Sequence, residues 1–196
     1  MHLYLVRHGE TEENLRHEVQ GQRHGTLSRT GSQQVQALAD RFRNIQLQAI
    51  LTSDLNRAMQ TADGIAQYHD LALVPLLLLR EQHYGIYQGK IMHELSPAAS
   101  GGKEPVVSPP DGESVDDLHA RTCQFCSYLT ERFDGQTLVA VSHGVFLSIL
   151  LWAIQDKPLP DRPTIDLDNA SVSLVTGSKR SECRVQFFND TTHLNA

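Results

Sequence analysis

Three short apolar runs, each breaking off into polar residues or glycine and each leading into a stretch with helical spacing, constrain this chain more than any other feature. They are HLYLV at His2–Val6, AIL at Ala49–Leu51 and TLVAV at Thr137–Val141. An unbroken apolar run of that length suits a strand buried on both faces, as in a parallel sheet. The stretches that follow place apolar residues on one helical face: Val35, Leu38, Ala39 and Phe42 in Ser32–Phe42, then a helix from about Ser53 to Tyr68, then Gly144–Ile154. Ser53 or Asp54 is the expected N-cap of the second helix, because a side-chain oxygen there can accept from the free amides of the first turn. Repeated strand–helix units predict an α/β three-layer sandwich with a mostly parallel central sheet and helices on both faces.

The remaining segments complete that frame. Glu10–Thr30 is polar and glycine-bearing and reads as loop with a helical turn. Leu71–Leu79 is apolar and expected to be extended around Pro75, and Glu113–Phe133 is helical. Ser171–Thr176 and Arg184–Phe188 flank the turn-like GSKRSE, which predicts a C-terminal antiparallel hairpin. Pro97–Gly112 holds four prolines and two adjacent glycines without periodicity. Neither side of it makes a self-sufficient domain, so it reads as an exposed loop or lid and residues 1–196 as one domain, with 82–114 a short lid or insert.

Charge and cysteine content narrow the function classes. A formal net charge of −6 argues against a nucleic-acid binder or a protein held on anionic membranes, so any cationic site must be local. Three cysteines are too few and odd in number for a disulfide framework, which points to a reducing compartment. Cys123 and Cys126 form a CxxC, but inside a helical stretch, where they share a face. No secretory pattern opens the chain, and the longest apolar run, around Val145–Ile154, is too short to span a bilayer, so a cytoplasmic protein is expected. No zinc-type spacing such as HExxH occurs, and neither a metal nor another cofactor is expected. Oligomeric state leaves no signal in the sequence.

Ligands of such sheets bind beyond the carboxyl ends of the strands. There the chain carries Arg7-His8-Gly9 after the first run, Ser53 and Arg57 after the second, and Ser142-His143-Gly144 after the third. Two histidines and two arginines converging on one pocket call for an anion, and a phosphoryl group fits: guanidinium forks pair with its oxygens, which makes Arg7 and Arg57 a candidate clamp. His8 suits a nucleophile if one ring nitrogen keeps its proton on a fixed acceptor, such as a backbone carbonyl near Gly9, leaving the other lone pair free. His143 begins a helix whose free amides favour anions, and Gly144 leaves those amides unobstructed. Glu81, in LREQHYG, is the candidate general acid and later the base for water, since a carboxyl partly buried beside a phosphate keeps its proton near neutrality. Each element alone is commonplace; their joint arrangement is not.

These residues resemble the signatures of the histidine phosphatase, or phosphoglycerate mutase-like, superfamily. LVRHGETEEN is similar to its first motif, SDLNRAMQTA to its second, LREQHYGIYQG to its acidic segment and VSHG to its second histidine motif, in the family's order, and the likeness runs on through NASVSLV and FFNDTTHL. The resemblance implies that His8 is the phosphorylated nucleophile, that Arg7, Arg57 and His143 bind the phosphoryl group, and that Glu81 donates the proton. Asn14 matches a phosphate-pocket residue, and Gln20 with Gly21 a segment lining the substrate side. The chain departs from common patterns at His24-Gly25-Thr26-Leu27, where many members have Asp-x-Pro-Leu, and at Tyr87-Gln88-Gly89, where many have Trp-Glu-Gly.

Within such a family the catalytic core does not separate hydrolysis from mutase chemistry. A mutase must shield its phosphoenzyme from water with a closed, cationic cover. Residues 82–114 are short and offer only Lys90 and Lys103, so a phosphomonoesterase acting on small phosphorylated metabolites is expected in preference to a phosphoglycerate mutase. Specificity like that of a fructose-2,6-bisphosphatase or an alpha-ribazole phosphatase, and a binding module without catalysis, remain as alternatives. Arg16, His17, Arg23 and His24 would be either a second anion site or an exposed polar loop.

Overall fold

A computed structural model describes residues 1–95, 109–155, 165–177 and 182–195. Residues 97–108 of the expected lid, Lys103 among them, and 178–181 of the expected hairpin turn lie outside the described residues. Strands β1 (His2–Arg7), β2 (Ala49–Thr52), β3 (Leu73–Pro75), β4 (Thr137–Ser142), β5 (Val172–Thr176) and β6 (Arg184–Asp190) form one sheet in the order β3-β2-β4-β1-β5-β6. The pairs β1/β4, β2/β4 and β2/β3 are parallel, whereas β5 runs antiparallel to both β1 and β6. The sheet is therefore parallel where the site lies and antiparallel at its C-terminal edge, as expected from the sequence.

The helices are α1 (Glu12–Leu15), α2 (Arg29–Phe42), α3 (Asn56–Ala66), α4 (Val115–Arg132) and α5 (Gly144–Ile154). Strand side chains alternate between two apolar layers because successive Cβ atoms point to opposite faces. Leu3, Leu5, Leu51, Leu138 and Ala140 pack with Phe125 of α4 and Phe146 and Leu150 of α5. Val6, Ile50, Val139 and Val141 pack on the other side with Leu38 and Phe42 of α2 and Ala62 and Ile65 of α3. Each fully buried Leu, Val or Phe contributes about 1.5–3 kcal/mol, so the two layers fix the sheet between them. Helix α5 is apolar nearly all round, as a helix covered by both sheet and α4 must be.

Local signals were mostly legible, with instructive exceptions. Helix α2 begins earlier than its apolar face suggests because Ser28 accepts from the Gly31 amide and caps it. Helix α4 starts with a capping box between Ser114 and Asp117. Neither Ser53 nor Asp54 caps α3: the N-cap position is Leu55, without a side-chain bond, and Asp54 is taken instead by a two-pronged ion pair with Arg80 at 2.7 and 2.5 Å. Leu71–Leu79 is not extended throughout, since Pro75 ends the edge strand β3 and a 3-10 turn follows at Leu77–Leu79. All three cysteines are thiols, and Cys126 packs in the core beneath α4. Among the described residues no helix is long and apolar enough to cross a membrane.

Candidate active site

Register brings the site together. In the parallel pair β1/β4, Arg7 stands opposite Ser142, so the next residues, His8 and His143, leave the sheet side by side with ring centroids 5.2 Å apart. Thr52 of β2 stands opposite Val141, and the Ser53 amide donates to the Val141 carbonyl at 2.9 Å, so α3 starts at the same level and delivers Arg57 from its first turn. Flush strand ends are thus what make three distant sequence motifs one pocket.

His8 is almost fully buried, and its Nδ1 lies 2.7 Å from the Gly9 carbonyl oxygen. A carbonyl only accepts, so Nδ1 carries the proton and Nε2 keeps its lone pair. The Nε–H of Arg57 donates to that Nε2 at 3.1 Å. Burial, reinforced by the charges of Arg57 and Arg7, holds His8 well below the usual imidazole range. The Gly9 carbonyl is fixed in turn because the Gly9 amide donates to the Thr61 hydroxyl at 3.1 Å, and any Cβ on Gly9 would stand 2.9 Å from the Gly31 carbonyl oxygen. Glycine is needed there for the approach of α2.

The two arginines differ from the symmetrical clamp that their positions suggested. Arg57 spends its terminal nitrogens on the carbonyls of Gly21 (2.8 Å) and Arg23 (2.7 Å), so it anchors the loop over the site as well as touching His8. Arg7 donates through NH1 to the Leu167 carbonyl, but its buried Nε has no hydrogen-bond partner among the described residues. That guanidinium packs against Gly144, where a Cβ would be 3.4 Å from Arg7 Nε, within ordinary contact. His143 is completely buried, both its ring nitrogens lack a partner among the described residues, and burial first, then the charges of Arg57, His8 and Arg7, holds it well below the usual imidazole range.

Glu81 sits at the start of α5. Its carboxylate accepts from the amides of Gln82 (2.9 Å), Val145 (3.1 Å) and Phe146 (3.0 Å). The amides expected to meet a ligand are therefore engaged by the candidate acid. Asn14 is a capping-box residue of α1; its Oδ1 also accepts from Asn169 Nδ2 at 3.3 Å, and that same nitrogen donates to the His8 carbonyl at 3.1 Å. Gln20 turns a buried, unpartnered Oε1 toward the region of Gly25 and the Arg57 stem, and Gly21 adopts a φ of +53° that suits glycine. Arg16 and Arg23 are exposed and engage Glu13 and Glu18, with Arg23 to Glu18 at 3.0 Å, while His24 accepts from the Asn56 amide at 3.4 Å.

Sequence patterns did not point to Thr61, Leu167, Asn169, Gln22, Glu113 or Arg121. They act largely through bonds to backbone across the fold, and a motif-level signal covered just Thr61, within SDLNRAMQTA, and Asn169, within NASVSLV.

Comparison with known proteins identifies the family and the fold. The sequence model of the histidine phosphatase superfamily (branch 1) matches residues 3–191. A protein of Enterobacter sp. (strain 638) named probable phosphoglycerate mutase GpmB is 30% identical over all of this chain and 96% of its own length. The structure of Bacillus stearothermophilus YhfR superposes with a TM-score of 0.88 at 28% identity, covering 98% of both chains. A mycobacterial glucosyl-3-phosphoglycerate phosphatase does so with a TM-score of 0.85 at 27% identity, covering 97% of this chain and 99% of its own.

Proposed function

Because the chain belongs to the histidine phosphatase superfamily, we propose that it hydrolyses small phosphate monoesters, without a metal, through a phosphohistidine at His8. The observation that carries this reading is the tautomer of His8: the Gly9 carbonyl holds the Nδ1 proton, and Nε2 is left as a lone pair among buried donors that lack a partner. Arg7 Nε and His143 are those donors, and a buried unpaired polar group costs about 1–3 kcal/mol, so an anion that satisfies them is bound strongly. Attack exchanges the Arg57 N–H on Nε2 for the phosphorus atom, and the same N–H then meets a phosphoryl oxygen.

The phosphorus–oxygen bond to the alcohol breaks as the Nε2–phosphorus bond forms, and the leaving oxygen takes a proton from Glu81. Glu81 then removes a proton from the water that releases phosphate and restores His8. Hydrolysis is favoured over phosphoryl shuttling because residues 82–114 contain just Lys90 and Lys103 as cations, and Lys90 is exposed. The mutase name borne by relatives about 30% identical keeps one competing reading open to test.

The purified protein is expected to release p-nitrophenol from p-nitrophenyl phosphate with chelator present, and His8→Ala to lose at least about 10⁴-fold while keeping its circular dichroism. Full activity in that variant would sink the reading. Rapid quench into alkali should trap a phosphoenzyme that subsequent acid treatment hydrolyses. Efficient formation of 2-phosphoglycerate from 3-phosphoglycerate with a bisphosphoglycerate primer would replace hydrolysis by mutase activity.

A further inference from the structure

Glu81 is presented on a short irregular segment, between the 3-10 turn at Leu77–Leu79 and the one at Gly85–Tyr87. Irregular backbone does not hold a carboxylate to catalytic tolerance by itself, so something must fix it. We infer that Arg121 of α4, paired with Glu113, is the positioning residue that holds Glu81 at the leaving-group oxygen, an inference that rests on Glu81 being the general acid.

Arg121 has five N–H donors, and every one is spent on this segment or on its anchor. NH1 donates to the carbonyls of Leu78 (2.9 Å) and Arg80 (2.6 Å), NH2 to the carbonyl of Glu81 (3.2 Å), and Nε and NH2 grip the two oxygens of Glu113 at 2.8 and 2.7 Å. No donor remains for a substrate. Glu113 extends the hold to the far side of Glu81: its carboxylate accepts from the His83 amide at 3.3 Å, its carbonyl from Gln82 Nε2 at 2.8 Å, and its amide donates to the His83 carbonyl at 2.8 Å. The guanidinium also lies 5.1 Å from the centre of the Phe146 ring, and the Phe146 amide is one of those that bind the Glu81 carboxylate. Backbone and carboxylate of Glu81 are therefore registered to one guanidinium. Lysine cannot reproduce a planar five-donor fork.

A proton donor matters in proportion to how poor the leaving group is. An alkyl phosphate needs its oxygen protonated as the phosphorus–oxygen bond breaks, whereas 2,4-dinitrophenolate leaves without help. The test compares kcat/KM for 2-glycerol phosphate and for 2,4-dinitrophenyl phosphate, a constant that covers the steps up to phosphoryl transfer. Arg121→Met should lose about 100-fold on the alkyl ester and less than about 10-fold on the aryl ester, since general acid catalysis contributes about 10²–10⁴-fold. Glu113→Gln, which keeps shape and weakens the grip, should shift the same ratio by a smaller factor.

Glu81→Gln supplies the reference, and the double variant Glu81→Gln with Arg121→Met should lose little more than Glu81→Gln alone, because two residues acting through one group are not additive. Equal losses on both esters in Arg121→Met and Glu113→Gln, or additive losses in the double variant, would overturn the positioning role while leaving Glu81 as the acid. A Glu81→Gln variant that treats both esters alike would overturn the acid itself, and the positioning role with it.

Discussion

The two ends of the site solve opposite problems with the same kinds of side chain. At the proposed phosphoryl end, Arg7 Nε and both nitrogens of His143 are buried and lack partners among the described residues. At the acid end, each N–H of Arg121 is engaged and Glu81 accepts three amides. Burying polar atoms without partners costs stability that a saturated network does not. On the proposed mechanism the first end is the one suited to take the phosphoryl anion, and the second is scaffold whose donors are already engaged. Arg121, with every donor engaged, suits positioning, whereas Arg7, with a donor left over, suits binding.

Breaking the unsatisfied end should have the largest effect. His143→Ala removes a donor that only a ligand can use, so kcat/KM is expected to fall about 10²–10³-fold, or about 2.7–4 kcal/mol, on alkyl and aryl phosphates alike. Orthovanadate or phosphate at 100 times its dissociation constant should stabilise the wild-type protein by about 2.7 kcal/mol, and the same concentrations should stabilise His143→Ala far less. Differential scanning fluorimetry with each anion reads this directly. An unchanged anion shift in the variant would show that His143 is not part of the anion site.

How much of this contrast could be seen in the sequence follows from where each interaction lies. Arg7, His8, Arg57 and His143 stand at strand ends, and strand ends are legible because apolar runs stop there. Glu81 was chosen from its place just after the apolar Leu71–Leu79 run and from the motif around it, although that run ends in a 3-10 turn and not in a clean strand end. Arg121 was invisible: on a helix surface it reads as solvated, and its partners are carbonyls of residues 78, 80 and 81, about forty positions away, which carry no residue-type signal. The saturation of Arg57 by loop carbonyls was hidden for the same reason. Side-chain chemistry shows in a sequence, but bonds to backbone show only in the fold.

The comparison also predicts where the empty protein is sensitive to acid. Burial and neighbouring charge lower both His8 and His143 well below 6.5, so both are neutral when folded near that pH. Above about pH 6.5 they are neutral in both states and contribute nothing to pH dependence. Below it the unfolded chain takes up protons that the folded protein refuses, and stability falls as pH falls, by up to about 1.36 kcal/mol per pH unit for each histidine. His193, lowered by its own burial and by Arg41, adds a background of the same sign. Denaturant unfolding between pH 8 and pH 5 should show this slope, and His143→Asn should make it shallower by up to one proton. Equal slopes would mean that His143 is charged in the folded protein.

The smallest effect is expected where the two ends are joined. Residues 20–23 bridge them: Arg57 holds the Gly21 and Arg23 carbonyls, Gln88 Oε1 accepts from the Gln22 amide at 2.7 Å, and Gln22 Nε2 reaches the Glu81 carbonyl at 3.1 Å. Gln88→Glu, the residue common at this position in the family, keeps the acceptor for Gln22 and gives up only a long contact of 3.3 Å with His83 Nε2. A neutral hydrogen bond of this kind is worth about 0.5–1.5 kcal/mol, so kcat should change by less than about tenfold. On the proposed mechanism the bridge lines the substrate side and does not touch phosphorus, so the change should fall on KM and differ between esters. A uniform loss of kcat across esters would place Gln88 in the chemistry and collapse the distinction between a binding end, a scaffold end and the loop that spans them.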